Sequence, residues 1–89
     1  MSERFDEIRD EISENDVAIV KAVNRRLALV TELWELKAQL GLDTFDPDRE
    51  RRLREALAQA SRGQLSAAGL DLLVTHLLEL TKRELDASP

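Results

Sequence analysis

Residues 4–40 contain neither glycine nor proline, and this uninterrupted stretch limits what the chain can fold into. Its apolar side chains recur three or four residues apart, a heptad-like spacing typical of a helix rather than a strand. We therefore predict a first helix of about 36 residues, which would be roughly 54 Å long. The residues of the apolar series are Phe5, Ile8, Ile12, Ile19, Ala22, Leu29, Leu33, Leu36 and Leu40.

Glycine, proline and capping residues predict two further helices. Gly41 stands just past the first helix, and residues 42–45 form a short loop. Asp46 is expected to cap a second helix, with Pro47 in the first turn and a break at Gly63. A third helix is expected to begin with Ser66 as its cap and to end near Asp86. The side chains expected to face inward are Leu53, Leu57 and Ala60 on the second helix and Leu70, Leu73, Val74, Leu77 and Leu78 on the third.

The three helices differ greatly in length, and this difference predicts an assembly. The second and third helices, of about 15 and 20 residues, are too short to cover the whole apolar stripe of the first. A monomer would leave a long apolar seam in water, which soluble monomers rarely do. We therefore predict an all-α fold, a three-helix protomer in an intertwined, obligate homodimeric helical bundle.

The composition excludes several classes of protein. A chain of 89 residues, 43% of them hydrophobic, predicts a single folded domain over residues 1–89. No apolar run reaches the roughly 18 residues that a bilayer requires, and residues 1–30 lack a signal-peptide core, so we expect a cytoplasmic protein without membrane contact. The absence of cysteine excludes thiolate metal sites, and the net charge of −5 argues against a nucleic-acid partner.

Two polar residues occupy positions of the apolar seam, Asn15 and Arg26. Asn15 is expected to fix the register of the paired helices. Arginine on a core-facing stripe is costly unless an anion compensates it. That anion is either a carboxylate of another helix, which would make Arg26 structural, or a ligand in a pocket, which would make it functional.

Lys37 favours the ligand interpretation. It lies 11 residues after Arg26, so the two side chains point within roughly 20° of each other, with their α-carbons about 16 Å apart. Arg9 lies about 25 Å from Arg26 and some 100° round the helix, so it cannot serve that pocket within one chain. In an antiparallel dimer the partner's Arg9 could reach it, and three converging cations would suit a dicarboxylate.

The remaining polar residues have simpler interpretations. Acidic residues at 46–50 complement the dipole of the second helix, and Asp46 is a good cap. His76 has no neighbour at metal-ligand spacing and is expected at the surface. The sequence contains no glycine-rich phosphate loop, nucleophile–histidine–acid arrangement or metal motif. Four arginines are expected to be solvated, although one could line the rim of a pocket: Arg51, Arg52, Arg54 and Arg62.

Together these residues resemble the all-helical chorismate mutase family (AroQ type) over nearly the whole chain. Residues 8–13, Ile-Arg-Asp-Glu-Ile-Ser, are similar to the family's Leu-Arg-x-x-Ile-Asp start, with serine in place of aspartate. The family's intertwined three-helix dimer has two pockets, each of which takes an arginine from the partner's first helix. The other residues at the family's spacing are Asp16, Arg26, Lys37 and, in an Asp-x-x-Arg-Glu element, Asp46, Arg49 and Glu50.

The resemblance implies the Claisen rearrangement of chorismate to prephenate in phenylalanine and tyrosine biosynthesis. This pericyclic step needs no nucleophile, metal or cofactor. By resemblance, Arg26 and the partner's Arg9 would bind the two carboxylates, and Lys37 would donate to the ether oxygen and a carboxylate. Asp46 and Glu50 would hold the ring hydroxyl, and Arg49 would support that loop. Thr81 stands where the family often has a serine that contacts a carboxylate.

One position near the C-terminus departs from the family pattern. The family commonly has glutamine four residues after that serine, as a second donor to the ether oxygen, whereas here the matching residue is Leu85, beside Glu84. Leucine cannot donate a hydrogen bond, and glutamate donates only when protonated. If Leu85 faces the pocket we expect a slow enzyme, and if Glu84 turns inward we expect turnover to rise as pH falls.

The end of the chain also suggests a protein partner. Residues 77–85 resemble the endings of short actinobacterial members of the family. Some of those members work poorly until they bind the first synthase of the shikimate pathway, so an activating complex with that enzyme is a further expectation.

Two alternative functions stay open. Isochorismate-pyruvate lyase shares the fold and the arginine–lysine cluster, but usually lacks the Asp-x-x-Arg-Glu element that Asp46 and Glu50 belong to. A non-catalytic helical dimerisation or partner-binding module would use Arg26 and Lys37 only in ion pairs. Binding of a transition-state analogue would separate this module from an enzyme, because a plain bundle has no pocket for it.

Overall fold

The computed structural model describes residues 2–86 as three helices: α1 (Glu3–Leu40), α2 (Pro47–Ala60) and α3 (Ala67–Asp86). No strand occurs in this range. The predicted all-α class and the long first helix are therefore confirmed. Within the described range, none of the helices has the combination of length and hydropathy that crossing a membrane requires.

Residues next to the two ends of α1 cap the helix. The hydroxyl of Ser2 accepts a hydrogen bond from the backbone N–H of Arg4 at 3.1 Å, which satisfies one of the free donors of the first turn. At the other end, Gly41 has a φ of +69°, a conformation that glycine adopts at little cost. The N–H of Leu42 donates to the carbonyl of Lys37 at 2.8 Å, and that of Gly41 to Ala38 at 3.3 Å. This pattern is the Schellman motif, so α1 stops at Gly41 as predicted.

The start of α2 confirms the predicted cap, but its end differs from the prediction. The side chain of Asp46 accepts from the N–H of Arg49 at 3.1 Å, and Pro47 occupies the first turn. The helix ends at Ala60 rather than reaching Gly63, because Ser61 adopts an extended backbone with φ −78° and ψ 105°. The N–H of Ser61 still donates to the carbonyl of Leu57 at 2.9 Å and closes the last turn.

The third helix begins as expected. The hydroxyl of Ser66 accepts from the N–H of Gly69 at 3.0 Å, and the Ser66 carbonyl accepts from Leu70 at 2.9 Å. These bonds make Ser66 the N-cap of α3. The helix extends to Asp86, where the described residues end.

The chain divides into two compact units, Met1–Glu35 and Leu36–Pro89. In the second unit α2 packs against α3, and Val74 is the most buried side chain, 1% exposed. Leu53, Leu57, Leu70, Leu77 and Leu78 are half-buried, as predicted.

Two of the side chains predicted to face inward in this unit are exposed. Ala60 is the last residue of α2, and Leu73 is 55% exposed. Leu73 lies about 100° round the helix from buried Val74, so the two side chains leave α3 on different faces. The prediction of inward positions was therefore wrong for Ala60 and Leu73.

In the first unit the apolar series of α1 is open to solvent. Six of its large residues are 40–56% exposed: Phe5, Ile8, Ile12, Ile19, Leu29 and Leu33. An apolar stripe of this length is what the predicted dimer would cover. A single chain does not test that assembly, so the homodimer stays a prediction.

Candidate active site

The three predicted cations of α1 differ in their surroundings. Arg9 is exposed, and its guanidinium carbon lies 5.5 Å from the centroid of the Phe5 ring, a cation–π contact within one helical turn. Arg26 and Lys37 are both half-buried, whereas Lys21 and Arg25 on the same helix are exposed. Arg26 and Lys37, which the spacing along α1 singles out, therefore also differ in burial from the basic residues Lys21 and Arg25.

Lys37 is the most informative of these residues. Across the described range, its ammonium group makes no ion pair or side-chain hydrogen bond. It stands in the last turn of α1, where the helix dipole favours a positive charge. A half-buried lysine whose ammonium group pairs with no carboxylate in the described range is suited to an anionic ligand.

Asp46, Arg49 and Glu50 lie together at the start of α2. One oxygen of Asp46 caps the helix, which confirms the structural interpretation of this residue and leaves its second oxygen available for a ligand. Arg49 is exposed and Glu50 is half-buried. Two carboxylates and a guanidinium are thus held within about one turn of helix, and the carboxylate oxygens can accept a hydrogen bond from a hydroxyl group.

Glu50 accepts hydrogen bonds from Arg54, an arginine that the sequence predicts to be solvated. Oε1 of Glu50 accepts from Nε and Nη2 of Arg54 at 3.4 and 3.3 Å. The Arg54 side chain is 31% exposed and lines a cavity, so the expectation of a solvated charge was wrong for it and the alternative of an arginine at the rim of a pocket applies. A signal was present in the sequence, because Arg54 follows Glu50 by four residues and lies between the inward positions Leu53 and Leu57.

On α3 the predicted residues share one face. Thr81 is 6% exposed, and its hydroxyl donates to the carbonyl of Leu77 at 2.8 Å. Leu85, one turn further on, is half-buried, while Glu84 is exposed. The single chain therefore favours Leu85 over Glu84 as the residue on the Thr81 side of the helix.

A cavity of about 400 Å³ lies in the second unit between α2 and α3. It contains none of the residues predicted to bind substrate, but Arg54 lies on its wall. No group of histidine, aspartate and glutamate side chains in the described range could hold a metal ion. The residues that line the cavity are Arg54, Glu55, Ala58, Ser61, Leu65, Ser66, Ala67, Leu70, Asp71 and Val74.

The structure thus brings the predicted residues together in two local groups. Asp46, Arg49 and Glu50 share the first turn of α2, and Thr81 and Leu85 share a face of α3. A single pocket that joins these groups to the cations of α1 stays a prediction.

Comparison with known proteins identifies the chain. The family profile of chorismate mutase type II matches residues 8–84, which include eight of the nine predicted site positions and leave out Leu85. The chain is 29% identical to a protein of Methanocaldococcus jannaschii named chorismate mutase, over 97% of this chain and 92% of that protein. No solved structure matches. Because the profile spans all three helices, the chain belongs to the chorismate mutase type II family.

Proposed function

We propose that this protein is a chorismate mutase, an isomerase that rearranges chorismate to prephenate. The observation that carries the proposal is the family match across α1, α2 and α3, a range that includes Arg9, Arg26 and Lys37. The curated relative from Methanocaldococcus jannaschii, similar over nearly its full length, supports the same activity. A cytoplasmic location is part of this proposal.

The reaction requires a site that restrains the shape of the substrate and stabilises developing charge. In a Claisen rearrangement an ether C–O bond breaks while a new C–C bond forms within the same molecule, so the protein needs to supply no nucleophile. It must hold the substrate in its compact conformer and stabilise the negative charge that develops on the ether oxygen. Lys37, half-buried and without a carboxylate partner in the described range, is the proposed donor to that oxygen.

The remaining roles follow the polarity of each group. Arg26 would bind a carboxylate through its planar fork of donors. Asp46 and Glu50, the acceptors at the start of α2, would hold the ring hydroxyl, and Arg49 would support that turn. Thr81 would contact a carboxylate once its hydroxyl turns from the Leu77 carbonyl, to which it donates in the single chain.

A second copy of the chain completes the proposed site. The apolar stripe of α1, 40–56% exposed at its six largest positions in the first unit, gives two chains a surface to share. Antiparallel pairing of two such helices would bring the partner's Arg9 toward Arg26. The homodimer is therefore part of the proposed function and not only of its stability.

Leu85→Gln is expected to raise the turnover of chorismate by about tenfold or more, because an amide at this position can donate to the ether oxygen and leucine cannot. Steady-state kinetics of the variant measure the effect, which should appear in kcat rather than KM. Leu72→Gln makes the same change on an exposed face of α3 and serves as the control. Equal rates for Leu85→Gln and the unchanged protein would show that residue 85 does not face the reacting atoms.

The purified protein is expected to consume chorismate and release prephenate. The loss of chorismate ultraviolet absorbance, followed at pH 5 and pH 7.5 with the product identified, measures this directly. Pyruvate release from isochorismate would instead indicate the lyase. A protein that neither turns over chorismate nor binds a dicarboxylate transition-state analogue would be a non-catalytic helical module.

The same assay tests the proposed activating partner. Because Leu85 supplies no donor, we expect a slow enzyme whose rate rises when the first synthase of the shikimate pathway is added. Unchanged turnover in the presence of that synthase would argue against the complex without affecting the mutase assignment.

A further inference from the structure

Arg54 links three side chains on two helices. Its Nε and Nη2 donate to Glu50 on α2, its Nη1 lies 2.6 Å from Oδ1 of Asp71 on α3, and its Nη2 lies 3.2 Å from Oγ1 of Thr75. The guanidinium therefore holds one oxygen of Glu50 while it is itself held by α3.

This network is better suited to orientation than to stability. The Glu50 side chain is 43% exposed and that of Asp71 is 73% exposed, and ion pairs so open to water contribute little to the free energy of folding. The geometry, in contrast, is restrictive. A guanidinium with donors fixed in one plane, anchored at two points on α3, leaves the Glu50 carboxylate few rotamers.

We propose that Arg54 is a positioning residue, which fixes the carboxylate of Glu50 for the substrate hydroxyl without touching the substrate itself. The proposal rests on the proposed function, because it needs Glu50 to bind the ring hydroxyl. One oxygen of Glu50 accepts from Arg54, and the other is left to accept from that hydroxyl.

The expected kinetic effect lies in binding. The ring hydroxyl does not react, so a contact to it is present in the ground state and in the transition state alike, and its loss raises KM with little change in kcat. Arg54→Met, which removes the charge and keeps much of the side-chain length, is expected to raise KM by about tenfold and to change kcat less than about twofold.

Arg51→Met is the matched control. Arg51 lies on the same helix and makes the same kind of pair four residues away, with Glu55 at 3.2 Å, but it makes no ion pair or hydrogen bond with Glu50 or with α3. It should leave both kinetic constants unchanged. Arg54→Lys keeps the charge but not the fork, and is expected to restore part of the lost affinity.

A double-mutant cycle separates positioning from a structural role. In the Glu50→Ala background there is no carboxylate to orient, so adding Arg54→Met should raise KM no further. If Arg54 only ties α2 to α3, its effect would be the same in both backgrounds, and that result would overturn the proposal. Urea unfolding of each variant measures the structural contribution independently.

A second variant keeps the test decisive if Arg54→Met fails to fold. Asp71→Asn weakens the anchor on α3 without touching Glu50, and it is expected to raise KM by a smaller factor than Arg54→Met. An unchanged KM for Asp71→Asn would then overturn the proposal. If the wild-type protein turns over chorismate but Arg54→Met has the same kinetic constants as the Arg51→Met control, that result overturns this inference alone. If the wild-type protein is inactive, the proposed function is overturned as well.

Discussion

Lys37→Ala is expected to lower kcat for chorismate by about 10³-fold, because it removes the donor proposed for the ether oxygen, where charge develops only in the transition state. The free energy of unfolding should fall by no more than about 1 kcal/mol, the usual value of a cation at a helix C-terminus. Lys37 makes no ion pair in the described part of the chain, so its removal leaves no carboxylate without a partner. Steady-state kinetics and urea unfolding of the same preparation measure the two quantities.

Lys21→Ala is the matched control for this change. Lys21 is on the same helix, but it is exposed, and its replacement should alter neither kcat nor KM. A Lys37→Ala variant that kept more than about a tenth of the wild-type rate would reject the assigned role, since one well-placed donor in such a site is worth at least that much. Parallel losses of activity and stability would instead indicate a structural lysine.

Three of the helix boundaries, the end of α1 and the starts of α2 and α3, could be predicted because their causes are local. Gly41, Asp46 and Ser66 each close or open a helix with hydrogen bonds to residues no more than four positions away. The half-burial of Arg26 and Lys37 was also predictable, because a regular helix converts spacing along the chain into position round its axis.

The contacts between helices could not be predicted in the same way. The sequence predicts a solvated charge at Arg54 because its partners on α3, Asp71 and Thr75, are 17 and 21 residues away along the chain. The apolar spacing of α3 predicts an inward position for Leu73, although the face of α3 that is buried is the one with Val74. Which face of a helix meets another depends on packing angles that spacing alone does not contain.

If each pocket takes Arg9 and Arg26 from different chains, two inactive variants are expected to regain activity when they are mixed. Arg9→Ala and Arg26→Ala should each be nearly inactive alone, because each removes from both pockets of the proposed homodimer an arginine proposed to bind a carboxylate of the substrate. When the two variants exchange subunits freely, about half of the dimers are mixed, and each mixed dimer has one pocket with both arginines intact. Equal mixing should therefore restore about one quarter of the wild-type rate.

The size of the recovery depends on the two arginines coming from different chains. If Arg9 and Arg26 served the same pocket from one chain, every pocket in the mixture would lack one of them, and mixing would restore nothing. The mixing test requires the subunits to exchange, because each chain must leave one partner and bind another. The surface through which the chains are proposed to bind is the apolar stripe of α1, which is exposed in the single chain. Exchange is therefore measured first, by mass spectrometry of chains carrying different isotopes. Unrestored turnover in a mixture shown to contain mixed dimers would place both arginines in one chain's pocket and overturn the shared site.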